Sequence, residues 1–274
     1  MSTTSLTMQT ATIGDHELAY RATGEGEAVV LVHGGFAAEL LAGVEQAEAL
    51  GGFRRVLYHR QGHGHSPRPE PIGPLTLEDQ ADDLIGLLDH LGIDAAHLVG
   101  HSLGALVALT TAAAHPDRVR SLTLLEPPVP FSHPAGAEWL ESMGPVVERY
   151  GAGDVGGAMT AFYDATLREG WRERMERVAP DAFEDSVDGA PMGFESDMPG
   201  MAWTDGLSAD QVTAVRCPVL LVVGGSTRPV FADAREVVRG WFPWCEDLEV
   251  AGADHMLPVL APDTIAEAVA RHAT

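Results

Sequence analysis

Gly100-His101-Ser102-Leu103-Gly104 lies between the strand-like run Ala96-His97-Leu98-Val99 and a helix-like run from Ala105 to His115. A strand that turns sharply into a helix around a central Ser is the setting of a nucleophile elbow. The flanking glycines have a steric reason. The turn is tight enough to strain its central residue, and side chains beside it would collide with neighbouring backbone. Ser102 Oγ is thereby expected to stand out at the carboxyl edge of a sheet.

Outward from this turn, apolar runs flanked by turn signals alternate with helix-period segments, the pattern of an α/β chain whose mostly parallel sheet is covered on both faces. A hairpin is predicted from Thr10 to Ala22, and further strands over Ala28–Val32, Phe53–Tyr58, Ala96–Val99, Val119–Glu126, Pro218–Val223 and Asp247–Val250. Helices are predicted over Glu39–Leu50, Leu77–Leu91, Leu103–His115, Ala232–Trp241 and Pro262–His272. Between Phe131 and Asp210 the rhythm gives way to short helices broken by Gly and Pro. That stretch is too long for a connecting loop. The expected division is therefore a core of residues 1–130 and 211–274 with a helical cap, 131–210, inserted into it.

With 274 residues, 45% of them hydrophobic, the chain can bury one large core. All 17 basic residues are arginine and face 40 acidic ones, for a net charge of −23. Such a surface repels phosphate backbones and anionic lipid, which argues against nucleic-acid and membrane partners and leaves a small-molecule substrate as the expected partner. No apolar run approaches the roughly 18 residues a membrane span needs. Met1-Ser2-Thr3-Thr4-Ser5 lacks the basic-then-apolar pattern of a signal peptide, so a cytoplasmic protein is expected. Cys217 and Cys245 form neither a disulfide framework nor a zinc spacing. Nothing in the sequence speaks to oligomeric state.

Four motifs make the chain resemble the α/β-hydrolase family from about residue 10 to its end, least in 131–210. They are His33-Gly34-Gly35, Tyr58-His59-Arg60-Gln61-Gly62-His63-Gly64-His65-Ser66, the turn at 100–104, and Gly252-Ala253-Asp254-His255-Met256. The resemblance implies an eight-stranded, mostly parallel sheet, Ser102 as nucleophile and His255 as its general base. The chemistry agrees. A serine hydroxyl is a poor nucleophile until a base takes its proton, and an imidazole can take it and then protonate the leaving group. In this family two backbone N–H groups stabilise the tetrahedral oxyanion, here Leu103 and either Gly35 or Phe36. Such chemistry needs no cofactor and no metal, and none is expected. His33, His59, His63 and His65 could suggest a metal site, but no Cys, Asp or Glu in the same loops completes a ligand shell. His33 is instead expected to brace the oxyanion loop, and Gly62-His63-Gly64 to form a tight turn. His59 stands where the family commonly has Asp.

The stretch 131–210 carries 16 acidic side chains against 5 arginines, which favours a neutral, apolar substrate. Most of its aromatic and Met side chains should form core between cap and sheet. Phe131, Trp139, Phe162 and Trp203 are the candidates for substrate contact. These features favour a serine hydrolase acting on a carboxylic ester or lactone through an acyl-enzyme. Carbon–carbon bond hydrolysis, a cofactor-free lyase or cyclase step, and a non-catalytic receptor on the same scaffold are the alternatives. Dehalogenase and epoxide-hydrolase chemistry is disfavoured, because those relatives use Asp where this chain has Ser102.

The third member of the triad is absent from the place where the family most often carries it. Gly224-Gly225-Ser226-Thr227-Arg228-Pro229 contains no carboxylate. Some hydrolases of this fold, zearalenone-type lactonases among them, look similar in placing a Glu after the strand that follows the nucleophile helix. Here that strand ends Leu124-Leu125-Glu126-Pro127-Pro128. A carboxylate behind an apolar run is costly to bury without a partner, and the two prolines stiffen its exit from the sheet. Glu126 is therefore expected to accept a hydrogen bond from His255 Nδ1–H, with Asp233 and Asp254 as the other candidates.

Overall fold

The computed structural model describes residues 7–274, so the reading of Met1–Ser5 lies outside the described residues. Eight strands form one sheet: β1 Gln9–Ile13, β2 His16–Thr23, β3 Ala28–Val32, β4 Arg54–Tyr58, β5 Ala96–His101, β6 Val119–Leu125, β7 Val219–Gly224 and β8 Glu246–Val250. Their order is β1-β2-β4-β3-β5-β6-β7-β8. β2 runs antiparallel to β1 and β4, and every later pairing is parallel.

The central strands are buried along their whole length, which is why they read as unbroken apolar runs rather than alternating ones. Alternation still decides which face each side chain serves. Val30 and Val32 pack with Leu84, Leu87, Leu106 and Leu109, from the helices Leu77–His90 and Leu103–Ala114. Val29 and Leu31 pack on the opposite face with Leu41, Val44, Ile265 and Val269. The helix Leu77–His90 opens on a capping box in which Thr76 Oγ1 accepts from Asp79 N–H and Asp79 Oδ2 accepts from Thr76 N–H, both at 3.0 Å. Among the described residues no helix is long and apolar enough to cross a membrane.

Two helices are shorter than the periodicity predicts. Glu39–Leu50 contains only Ala42–Gln46 and a 3-10 turn Glu48–Leu50, separated by the extended Ala47. Tertiary pairing overrides helix propensity here. Glu39 stays outside the helix, and with Glu45 it flanks Arg21 at 2.8 and 2.7 Å. The helix predicted from Ala232 begins at Ala234, after a separate turn Pro229–Ala232. β6 stops at Leu125 because Glu126 takes φ 47 and leaves the strand.

Between β6 and β7 the chain forms the helices Pro134–Ser142, Gly144–Gly151, Val155–Thr166, Trp171–Val178 and Ala182–Met192. Pro191 cannot donate to the carbonyl of Val187 and crowds it, and the helix widens directly afterwards into a π turn, Gly193–Asp197. Met159, Tyr163, Leu167, Trp171 and Met175 form a core of their own that takes in Phe36 and Met256 from the sheet domain's loops.

Candidate active site

β5 turns into the helix Leu103–Ala114 at Ser102, whose backbone sits at φ 55, ψ −122. A non-glycine residue there costs about 1–3 kcal/mol and persists only where its surroundings over-determine it. Those surroundings are Leu125 O, which accepts from Ser102 N–H at 2.9 Å, and the close packing of both flanks. A Cβ at Gly104 would stand 2.2 Å from Val32 O, and one at Gly100 would stand 2.3 Å from Gly104 O. The glycines are thus required by close approach of backbone to backbone.

His255 follows β8 in a turn, and Glu126 follows β6. His255 Nδ1 lies 2.7 Å from Glu126 Oε2. The segment that lacks a carboxylate supplies donors instead: Gly224 N–H reaches Glu126 Oε1 at 2.7 Å and the Thr227 hydroxyl reaches Oε2 at 3.0 Å. Asp254 is engaged elsewhere, accepting from Arg174 Nη2 at 2.5 Å and from Met256 N–H at 3.1 Å. Asp233 joins the turn Pro229–Ala232 to the following helix. Burial disfavours charge on both members of the pair, holding His255 below its ordinary value and pushing Glu126 above its own against the opposing Gly224 N–H. The imidazole is therefore neutral, with Nδ1–H given to Glu126 and Nε2 left as a base. Phe231 stacks on its ring at 3.6 Å, and His101 Nε2–H donates to the His255 carbonyl at 3.1 Å. Sequence reasoning missed Thr227, Phe231 and His101, although His101 adjoins Ser102 in the opening motif.

Leu103 is the first residue of its helix, where an N–H has no intrahelical acceptor. Gly35 and Phe36 face the same space, Phe36 with φ 68. His33 braces this loop: Nδ1–H donates to Gly34 O at 2.7 Å, and Nε2 accepts from Arg60 N–H at 2.9 Å. His59 also has a role. Its Nδ1 accepts from His65 N–H at 2.9 Å and its Nε2–H donates to Glu39 at 2.8 Å, so it serves as a backbone acceptor where a carboxylate is usual. His63 Nε2–H donates to Asp197 at 3.0 Å.

Ser102 and His255 open into a cavity of about 90 Å³ with almost wholly apolar walls. Phe131, Trp139 and Phe162 line it together with Tyr163 and Met198, and so do Leu40 and Met175, which the sequence did not single out. Trp203 does not. Its indole N–H donates to Pro128 O at 3.0 Å and its ring meets Trp241 edge-on, so it belongs to the core beside the sheet. No arginine lines the cavity among the described residues, and its one lining carboxylate, Asp197, is paired with Arg60.

Neutral buried imidazoles tie stability to pH. Burial lowers His33, His63, His101 and His255 below 6.5. In the unfolded chain all four take up protons below about pH 6.5 and in the fold they do not. The unfolded state then binds more protons, and stability falls as pH falls. Each imidazole contributes at most about 1.4 kcal/mol per pH unit. Glu126, Asp83 and Glu45 act in the opposite sense, because burial raises all three and in the fold they gain their protons at a higher pH. The balance of imidazoles against carboxylates predicts a thermal midpoint that falls by about ten degrees as pH drops from about 6.5 to 4.5. A midpoint that stays level over that window would show that the imidazoles contribute no net pH dependence to stability.

The family described as alpha/beta hydrolase fold matches residues 27–262. A 2-(acetamidomethylene)succinate hydrolase of Mesorhizobium japonicum is 31% identical over 79% of this chain and 77% of its own length. An esterase of Thermogutta terrifontis superposes with a TM-score of 0.81, at 27% identity over 97% of both chains. The enol-lactonase of Burkholderia xenovorans LB400 superposes with a TM-score of 0.76, covering 96% of this chain and 99% of its own at 24% identity, a likeness of fold.

Proposed function

The chain belongs to the α/β-hydrolase fold family and is a hydrolytic enzyme, and from that premise we propose that it cleaves a carboxylic ester or lactone of a small, neutral, largely apolar substrate. The observation that carries this reading is the His255–Glu126 hydrogen bond beside a strained Ser102 in an apolar cavity. Ser102 Oγ attacks the acyl carbon as His255 Nε2 takes its proton, and Glu126 stabilises the imidazolium so formed. Leu103 N–H and Gly35 N–H, with Phe36 N–H as the alternative second donor, receive the oxyanion. Collapse expels the alcohol, protonated by His255, and leaves an acyl-Ser102. Water, deprotonated by the same imidazole, then attacks the acyl carbon, and release of the acid restores the hydroxyl.

The segment 131–210 acts as the cap that selects substrate, through Phe131, Trp139 and Phe162. The absence of a lining arginine among the described residues supports a neutral acyl group over an anionic one. The net charge of −23 supports an enzyme without nucleic-acid or anionic-membrane partners. The test is a fluorophosphonate probe with intact-mass detection, alongside p-nitrophenyl esters of graded acyl length. One adduct, mapping to Ser102, and turnover of short-to-medium acyl esters are expected. Failure to label, or turnover confined to β-diketones, would overturn the ester and lactone reading.

A further inference from the structure

We propose that Asp197, carried by the segment over the cavity, is a positioning residue for the oxyanion hole and acts through Arg60 on the peptide between Gly34 and Gly35. The inference rests on the ester and lactone reading above. In a planar trans peptide the C=O and the N–H point in opposite directions. Whatever holds Gly34 O therefore aims Gly35 N–H, on the cavity side. Two glycines in succession give that peptide wide backbone freedom; a Cβ at Gly34 would stand 3.1 Å from Ser102 Cβ, but one at Gly35 would meet nothing within 4 Å, so packing does not hold the Gly35 side. Its orientation depends on the carbonyl end.

Two donors grip that end. His33 Nδ1–H lies 2.7 Å from Gly34 O and Arg60 Nη2 lies 2.9 Å from it. The guanidinium is in turn aimed by Asp197, bidentate at 2.8 and 2.9 Å, with Gln80 Oε1 as a further acceptor. Arg60 and Asp197 are both 2% exposed, and Arg60 Nε has no partner. The planar fork is therefore set by Asp197, Gln80 and Gly34. Asp197 closes the π turn after Pro191 and also lines the cavity. One carboxylate thus roofs the substrate and, through a single side chain, aims a backbone donor on the sheet below. Docking of the segment 131–210 fixes one of the two grips that aim the second donor of the hole.

A boronic acid separates this role from a merely structural one, since its tetrahedral adduct on Ser102 places an oxygen in the hole while a matched alcohol fills the cavity without one. Asp197→Asn should lower kcat on p-nitrophenyl butyrate about 10- to 100-fold, with KM within about threefold of wild type. Inhibition by butylboronic acid should weaken by the same factor, and inhibition by 1-butanol should not change. Gln80→Met removes one acceptor from Arg60 and leaves the ion pair. If Asp197→Asn does not fold, Gln80→Met decides by the same comparison, with an expected loss of about three- to tenfold. Boronate affinity that survives either substitution, or loss of boronate and butanol binding in equal measure, would overturn the inference. A wild-type protein that binds no boronate would instead overturn the ester reading on which it rests.

Discussion

Ser102→Ala should lower kcat on a p-nitrophenyl ester by about 10⁴- to 10⁶-fold and abolish the fluorophosphonate adduct, with a thermal midpoint close to wild type. The loss is large because no other hydroxyl occupies the elbow, and the imidazole would then have only water to activate. It is not complete, because the N–H groups of Leu103 and Gly35 would still stabilise an oxyanion formed by water attack. The fold should tolerate the change. Ala at φ 55 carries the same backbone strain as Ser, and the bond from residue 102 N–H to Leu125 O is made by main chain. Retention of more than about a tenth of wild-type turnover would remove Ser102 from the mechanism.

Glu126→Gln should cost about 10²- to 10⁴-fold in kcat, whereas Asp233→Asn should be nearly silent. Three donors converge on Glu126: Gly224 N–H, the Thr227 hydroxyl and His255 Nδ1–H. A glutamine keeps the shape but has only one acceptor oxygen. With that oxygen given to Gly224 N–H, its amide NH₂ faces His255 Nδ1, which must then accept. The imidazole proton moves to Nε2, where it points at Ser102 and blocks the base. Stability should change little, because the Thr227 hydroxyl can rotate to accept from the amide. The two variants separate the assignments by kcat, with circular dichroism melts as the control. A silent Glu126→Gln beside an inactive Asp233→Asn would transfer the acid to the helix after β7.

What was legible in the sequence follows from the range over which each feature is determined. The inner strands stood out because an apolar run between turn residues is a local signal, and five such residues from Ala28 to Val32 are buried as read. Glu126 stood out for a local reason as well: a carboxylate directly behind Leu124-Leu125 needs partners that only a buried pocket supplies. The break at Ala47 was not legible, since Arg21, more than twenty residues earlier, draws Glu45 and Glu39 to itself. Trp203 was misread because composition does not say which of several aromatic side chains faces a cavity and which satisfies its N–H at Pro128 O. Asp197 was invisible. It is one acidic residue among many in its segment, and its partner Arg60 lies 137 positions away.

The register of β5 against β6 has a consequence for how the enzyme comes into being. His101 pairs with Leu125, so Ser102 and Glu126 leave the sheet side by side from one strand–helix–strand unit. A ribosome delivers that unit whole, before any of the segment that roofs the cavity, and domains tend to fold as they emerge. The base arrives 129 residues after the acid, in the turn between β8 and the short helix Leu257–Leu260. On the proposed mechanism, a nascent chain without His255 has nothing to remove the serine proton and should stay inert until its last residues dock.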